Sequence, residues 1–140
     1  MDLLLDTDAL LWMSQGSPRL GPRAASAFET AARDGSLRFS AVSMLEVARL
    51  HYSGRIELPS APELWHRDLL AAGVREIPVT SETAMLAASL HANHGFHSEP
   101  ADQLVTASAT VAKRPLVTSD RKILDWASAR TAPQCLNACA

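Results

Sequence analysis

The sequence is poor in cysteine: Cys135 and Cys139, both near the C-terminal end, are the only two. A zinc site there would need two more ligands at a suitable spacing, so free, reduced thiols are expected. Long apolar runs are missing too. The longest, Leu3 to Leu5 and Ala9 to Met13, fall far short of the ~20 residues of a membrane helix, and the chain is expected not to span a bilayer. A basic N-terminal patch is absent, with Asp2 and Asp6 in its place. That is not the pattern of a secretory signal, and the expected location is the cytoplasm. Charge of one sign is not in excess either: 13 basic and 15 acidic residues give a net charge of −2. The whole molecule therefore exerts no attraction on a phosphate backbone, and any nucleic-acid contact has to be local. Repeats, low-complexity tracts and long linkers do not occur.

What remains is the profile of one compact domain over residues 1–140, 47% apolar and 20% charged, with mean hydropathy near zero. A chain of this length buries roughly two-thirds of its unfolded surface and folds without a disulfide framework or a structural metal. A metal bound here is accordingly expected to be catalytic. The basic residues are eleven arginines against Lys113 and Lys122. Guanidinium suits bidentate phosphate contacts better than ammonium does.

Gly16-Ser-Pro, Gly21-Pro, Gly35-Ser, Ser53-Gly, Pro59-Ser-Ala-Pro, Gly95 and Pro100 divide the chain into segments of element length. Leu3 to Leu5 reads as a buried strand closed by Asp6 and feeding a helix through Ala9 to Met13. Helices are predicted at Arg23 to Arg33, Met44 to Tyr52 (introduced by Ser43), Glu63 to Ala72, Glu82 to Ala92, Ala101 to Ala112 and Lys122 to Ser128. Strands are predicted at Leu37 to Ser40, Glu76 to Val79, Leu116 to Thr118 and, at an edge, Gln134 to Leu136. Short apolar strands alternating with helices imply parallel pairing. The class is α/β, three layers around a parallel sheet of four to five short strands. In such sheets ligands bind beyond the carboxyl ends of the strands.

Four acids fall at that edge: Asp6 and Asp120 at strand ends, Glu46 and Asp102 in the first turns of the following helices. Each has an ordinary reading as well. Asp6 and Asp120 suit N-caps, Ser43-Met-Leu-Glu46 has capping-box spacing, and Asp102 suits a helix dipole. Together they point further, because ionised carboxylates ~4 Å apart repel by about 4 kcal/mol per pair at an effective dielectric near 20. Such a cluster stays ionised only with a cation. Hard ions such as Mg²⁺ and Mn²⁺ take oxygen ligands and activate water against phosphorus centres. The chemistry indicated is metal-dependent phosphodiester hydrolysis.

The segments LLLDTDALLW, SAVSMLEVARLHYSGRIELP, HSEPADQLVTASA and LVTSDRKIL, in this order between residues 3 and 124, resemble the four signature blocks of PIN-domain ribonucleases, and more narrowly the VapC toxins of bacterial toxin–antitoxin pairs. The resemblance implies a PIN-like α/β/α fold in which Asp6, Glu46, Asp102 and Asp120 hold one or two Mg²⁺ or Mn²⁺ ions. It implies an endoribonuclease leaving 5′-phosphate and 3′-hydroxyl ends. Thr118 matches a hydroxyl residue two before the last acid, and Thr7 offers a further polar contact. Also implied are a VapB-like antitoxin, seated in an apolar groove of the helices around residues 44 to 72 with Trp65 as a wall, and a homodimer. Two departures stand out. The third block reads Glu99-Pro100 where relatives carry Asp-Pro, and Gln103 replaces the arginine that commonly follows the acid, which implies altered substrate or partner preference. Asp8 is an additional acid at a variable position.

Competing readings are open at this point. Asp6-Thr7-Asp8 also fits the start of a haloacid-dehalogenase-type phosphatase with Asp6 as nucleophile and Asp8 as general acid. That scheme, like a receiver domain, needs a lysine and a later acidic pair, and only Lys122, Asp120 and Asp125 are on offer. A PIN-fold binding module that cleaves nothing is another reading. His91, His94 and His97 suggest zinc by type, but Gly95 interrupts them and H-E-x-x-H is absent; a local structural or RNA-facing role suits His97. Trp12 and Trp126 are expected in the core and Trp65 at the surface. Arg49, Arg55, Arg67, Arg121 and Lys122 are candidates for RNA-phosphate contacts.

Overall fold

A computed structural model describes residues 2–140. Five strands, β1 (Leu3–Leu5), β2 (Leu37–Ser40), β3 (Arg75–Ile77), β4 (Leu116–Thr118) and β5 (Cys135–Asn137), form one sheet in the order β3-β2-β1-β4-β5. Every pairing is parallel, with Leu5 opposite Phe39 on one side and Val117 on the other. The helices are α1 (Thr7–Gln15), α2 (Pro22–Arg33), α3 (Ala41–Tyr52), α4 (Pro62–Ala71), α5 (Ser81–His94), α6 (Pro100–Ala112) and α7 (Arg121–Ser128).

The three layers follow from side-chain alternation along the strands. Leu3 and Leu5 pack with Leu10, Phe28, Trp65 and Leu69 from α1, α2 and α4. Leu4, pointing the other way, packs with Leu90, Val105 and Ile123 from α5, α6 and α7. Helix α3 bridges the two cores through Val47 and Val42. All three β1 leucines are essentially inaccessible, and each stabilises the fold by roughly 1.5–3 kcal/mol.

Local sequence fixes the helix starts. Pro22, Pro62 and Pro100 each open a helix at its first position, where the missing N–H costs nothing. Gly95, left-handed at φ 71°, ends α5 as expected. Gly21 is required for a different reason. The tail passes so close that Ala140 accepts from the N–H groups of Arg23 and Ala24, and a Cβ at Gly21 would lie 2.1 Å from the Ala140 oxygen.

Two local expectations are corrected. Helix α3 is capped by Ser40, whose Oγ accepts from the Val42 N–H, and not by Ser43. The helix starts straight from β2, so Ser43 is interior and buried, the Ser43–Glu46 capping box does not form, and Glu46 sits in the second turn. Trp65 is buried, only 5% exposed, because the apolar face of α4 turns it onto the β1–β2 side of the sheet. No helix among the described residues is long and apolar enough to cross a membrane.

Candidate active site

Strand order reverses direction at β1, whose neighbours β2 and β4 are reached by crossovers to opposite sides. The carboxyl ends of β1 and β4 therefore open side by side, with the Asp6 N–H donating to the Val117 carbonyl at 2.8 Å. Asp6 is the N-cap of α1 and Asp120 the N-cap of α7. Their capping reading holds, and it uses one carboxylate oxygen of each for the backbone N–H. In Asp6, Oδ1 accepts from the Thr7 N–H at 2.8 Å and Oδ2 from the Thr118 hydroxyl at 2.7 Å. In Asp120, Oδ1 accepts from the Lys122 N–H at 2.8 Å. The fully buried Thr118 hydroxyl also accepts from the Asp120 N–H at 3.0 Å, so one side chain ties both strand-end acids together.

A second hydroxyl set holds Glu46. The Thr7 Oγ lies 2.9 Å from the Ser43 Oγ and bonds to the Glu46 carboxylate. With Glu46 ionised the carboxylate only accepts and Thr7 has one proton to give, so the Ser43 hydroxyl donates to Thr7. The sequence reading missed Ser43 as a site residue because it assigned the side chain to a cap. On α6, Asp102 occupies the first turn as expected, and its Oδ2 lies 2.7 Å from His97 Nε2. Ligand atoms of His97, Asp102 and Asp120 all lie within 4.8 Å of one another.

Burial and mutual repulsion act on these acids in one direction. Burial first, then the charges of Asp102 and Glu46, push Asp6 up to about 7 against the opposing bonds from Thr118 and Thr7. Asp102 rises to about 6, chiefly by burial and then by the neighbouring Asp120 and Glu99, with the His97 bond opposing. Burial raises Glu46 as well, with the Thr7 hydroxyl opposing and the charges of Asp8 and Glu99 adding. The four acids, spread over 115 positions of sequence, thus stand in one electrostatic neighbourhood.

The remaining candidates divide. Asp8 is exposed and accepts from Ser119 at 3.3 Å, outside the buried set. Glu99 is exposed and 3.6 Å from Lys122. Gln103 donates through Nε2 to the His97 carbonyl at 3.0 Å, holding the segment before α6. His91 Nδ1 meets the Phe96 carbonyl at 2.7 Å; of the three histidines only His97 joins a ligand cluster among the described residues. Arg49 lines a cleft with Glu46 and Glu99. Arg67 and Arg121 pair with Asp68 and Asp125 on their own helices, and Arg55 is exposed. Trp12 and Trp126 pack partly buried against the two cores, as expected.

Residues 3–128 match the family model described as "PIN domain". The chain belongs to the PIN-domain family. Within it, the chain is 35% identical over 121 residues to "Ribonuclease VapC22" of Mycobacterium tuberculosis (strain ATCC 25618 / H37Rv), covering 86% of this chain and 88% of that protein, which places it among the VapC-like members. Solved PIN-domain relatives share the fold at lower identity. In the promoter-DNA-bound VapBC2 of Rickettsia felis, a chain matches with TM-score 0.68 at 16% identity, covering 98% of each chain. In DNA-bound VapBC of Salmonella typhimurium the match has TM-score 0.68 at 18% identity over 99% of each. The PIN fold and the exposure of Asp8 argue against the phosphatase reading.

Proposed function

We propose that this protein is the ribonuclease toxin of a toxin–antitoxin pair: a metal-dependent endoribonuclease that hydrolyses RNA to 5′-phosphate and 3′-hydroxyl ends and is neutralised by a VapB-like antitoxin. The observation that carries the reading is the burial of Asp6 and Asp102 and the half-burial of Glu46, with Asp6 raised further by the charges of Asp102 and Glu46, and Asp102 by that of Asp120. The residues fit a divalent cation on their donor chemistry. Carboxylate oxygens and one imidazole come together at Asp102, Asp120 and His97, and a cation would offset both the burial, chief cause of the rise of Asp6 to about 7, and the neighbouring charges of Asp102 and Glu46 that add to it.

Asp6, Glu46, Asp102 and Asp120 would hold the ion, which supplies a Lewis acid that makes water nucleophilic near neutral pH and offsets charge building on the phosphate. The protein's own side chains supply the order. Thr118 fixes the rotamer of Asp6, and Thr7 with Ser43 fixes Glu46. Arg49 and Lys122, exposed beside Glu46 and Glu99, meet the RNA backbone on either side of the acids. A homodimer sets two such patches alongside each other and offsets the net negative charge.

An apolar groove of about 360 Å³ lined by Met44, Val47, Ala48, Pro62 and Trp65 suits an apolar antitoxin segment. Two solved structures that share the fold are of VapBC2 and VapBC.

The test is incubation of antitoxin-free protein with total RNA and Mg²⁺ or Mn²⁺, followed by sequencing of the cut ends. Cutting that EDTA stops and that Asp6→Asn abolishes is the expected result. Intact RNA under every condition would instead identify a binding module that retains the fold alone.

A further inference from the structure

Resting on the metal-dependent reading above, a feature of the third block takes it further. His97 is half-buried. Its ring stacks on the fully buried Phe96, centroids 4.3 Å apart and planes 21° from parallel, and Phe96 is braced edge-on by Trp126 at 4.9 Å. On the backbone side, the Gln103 amide holds the His97 carbonyl. Ring plane and main chain are therefore fixed independently, and together they set Nε2 2.7 Å from Asp102 Oδ2 and a ring nitrogen within 4.8 Å of an Asp120 oxygen.

In the metal-free protein Nε2–H donates to Asp102; a cation would take the place of that proton, and the three side chains stand near enough to spread around one ion. Neighbouring ligands of an octahedral cation with bonds of about 2.1 Å lie about 3 Å apart, and opposite ones about 4.2 Å. An imidazole that served only to orient Asp102 would not need Asp120 within the same radius. We propose that His97 supplies a nitrogen ligand to the metal site, making the protein select a first-row transition dication such as Mn²⁺ over Mg²⁺. Mg²⁺ is a hard cation of oxygen ligands and retained waters, whereas transition ions accept imidazole nitrogen readily. Gln103 takes part by holding the histidine, which gives a function to the residue standing where relatives carry arginine.

The test uses the whole, antitoxin-free protein. Calorimetric titrations with Mn²⁺ and with Mg²⁺ give two affinities, and pulsed electron paramagnetic resonance of the Mn²⁺ complex reads nitrogen coupling from a coordinated imidazole. Nitrogen coupling is expected in the wild type. His97→Gln, which keeps an N–H donor for Asp102, is expected to lose that coupling and to weaken Mn²⁺ binding about tenfold or more while Mg²⁺ affinity barely moves. His97→Asn serves the same purpose should the glutamine variant misfold, and the wild-type signal is read without either. A Mn²⁺ complex without nitrogen coupling, or equal weakening for both ions, overturns the proposal and leaves His97 as a positioning residue for Asp102. Failure of the wild type to bind either ion overturns the metal-dependent reading itself, a distinct result.

Discussion

At the residue scale, Asp6 is a source of instability in the metal-free fold. Its folded-state pKa of about 7 stands above the ordinary 3.8, so the acid form is the one the metal-free fold favours. The stability linked to this group is fully present below about 3.8 and is lost as pH rises through about 7. Metal-free protein should therefore melt at a lower temperature at pH 8 than at pH 5. Asp6→Asn should raise the melting temperature at pH 8 by an amount worth on the order of a few kcal/mol, have roughly a third of that effect at pH 5, and abolish cleavage. Scanning calorimetry at both pH values checks this, and a variant destabilised at pH 8 would mean that Asp6 is chiefly a cap. Thr118 is the complementary case. Thr118→Val keeps the shape but removes the donor to Asp6 and the acceptor for the Asp120 N–H. It should weaken metal binding and cleavage by roughly 10- to 100-fold, and an unchanged ion affinity by titration would contradict that.

At the element scale, the start of α3 separates what the sequence declares from what tertiary pairing decides. Ser40 and Ser43 are both reasonable caps by type, and Ser43 has the better spacing to Glu46. The choice depends on how far β2 runs, and that is settled by the pairing of Ser40 with Ile77 on β3, which no local pattern states. The two serines should consequently respond differently. Ser40→Ala should cost about 1 kcal/mol of stability, seen as a lower urea midpoint, with cleavage per folded molecule retained. Ser43→Ala should reduce cleavage about tenfold by releasing Thr7 and Glu46, with the larger effect on rate. The opposite pattern, rate loss at Ser40 and stability loss alone at Ser43, would restore the capping box. The His97–Asp102 contact was hidden for a similar reason. It depends on the turn from Gly95 to Glu99 folding back against the first turn of α6, and H-x2-H-x2-H spacing suggested a histidine cluster instead. The burial of Trp65 likewise follows from which face of α4 meets the sheet.

At the scale of the whole molecule, the strands, their parallel pairing and the strand-end acids were legible because most of the short apolar runs end in an acid or hydroxyl and are followed by a helix. Leu3–Leu5, Leu37–Ser40 and Leu116–Thr118 coincide with the strands observed. The nearness of Asp102 to Asp120, and the influence of Asp102 and Glu46 on Asp6, were not legible from spacing. Both arise from the β3-β2-β1-β4-β5 order, which sets Asp6 and Asp120 side by side and brings α3 and α6 over them. The same arrangement gives the site a pH dependence. Because Asp6 and Asp102 are raised to about 7 and about 6, protons compete with the cation below those values. Ion affinity should fall as pH drops from 8 to 6, and binding near pH 6.5 should release protons. Titration in buffers of different ionisation enthalpy reads the proton count directly, and zero release would contradict the raised pKa values.

The central claim, that these dispersed acids form a single divalent-cation site, is tested most directly by calorimetric titration of Mn²⁺ into antitoxin-free protein at pH 8, wild type beside Asp6→Asn. Saturable uptake by the wild type, lost or weakened at least about tenfold in the variant, is the expected result. No uptake by the wild type at millimolar Mn²⁺, or uptake that the variant leaves unchanged, would contradict it.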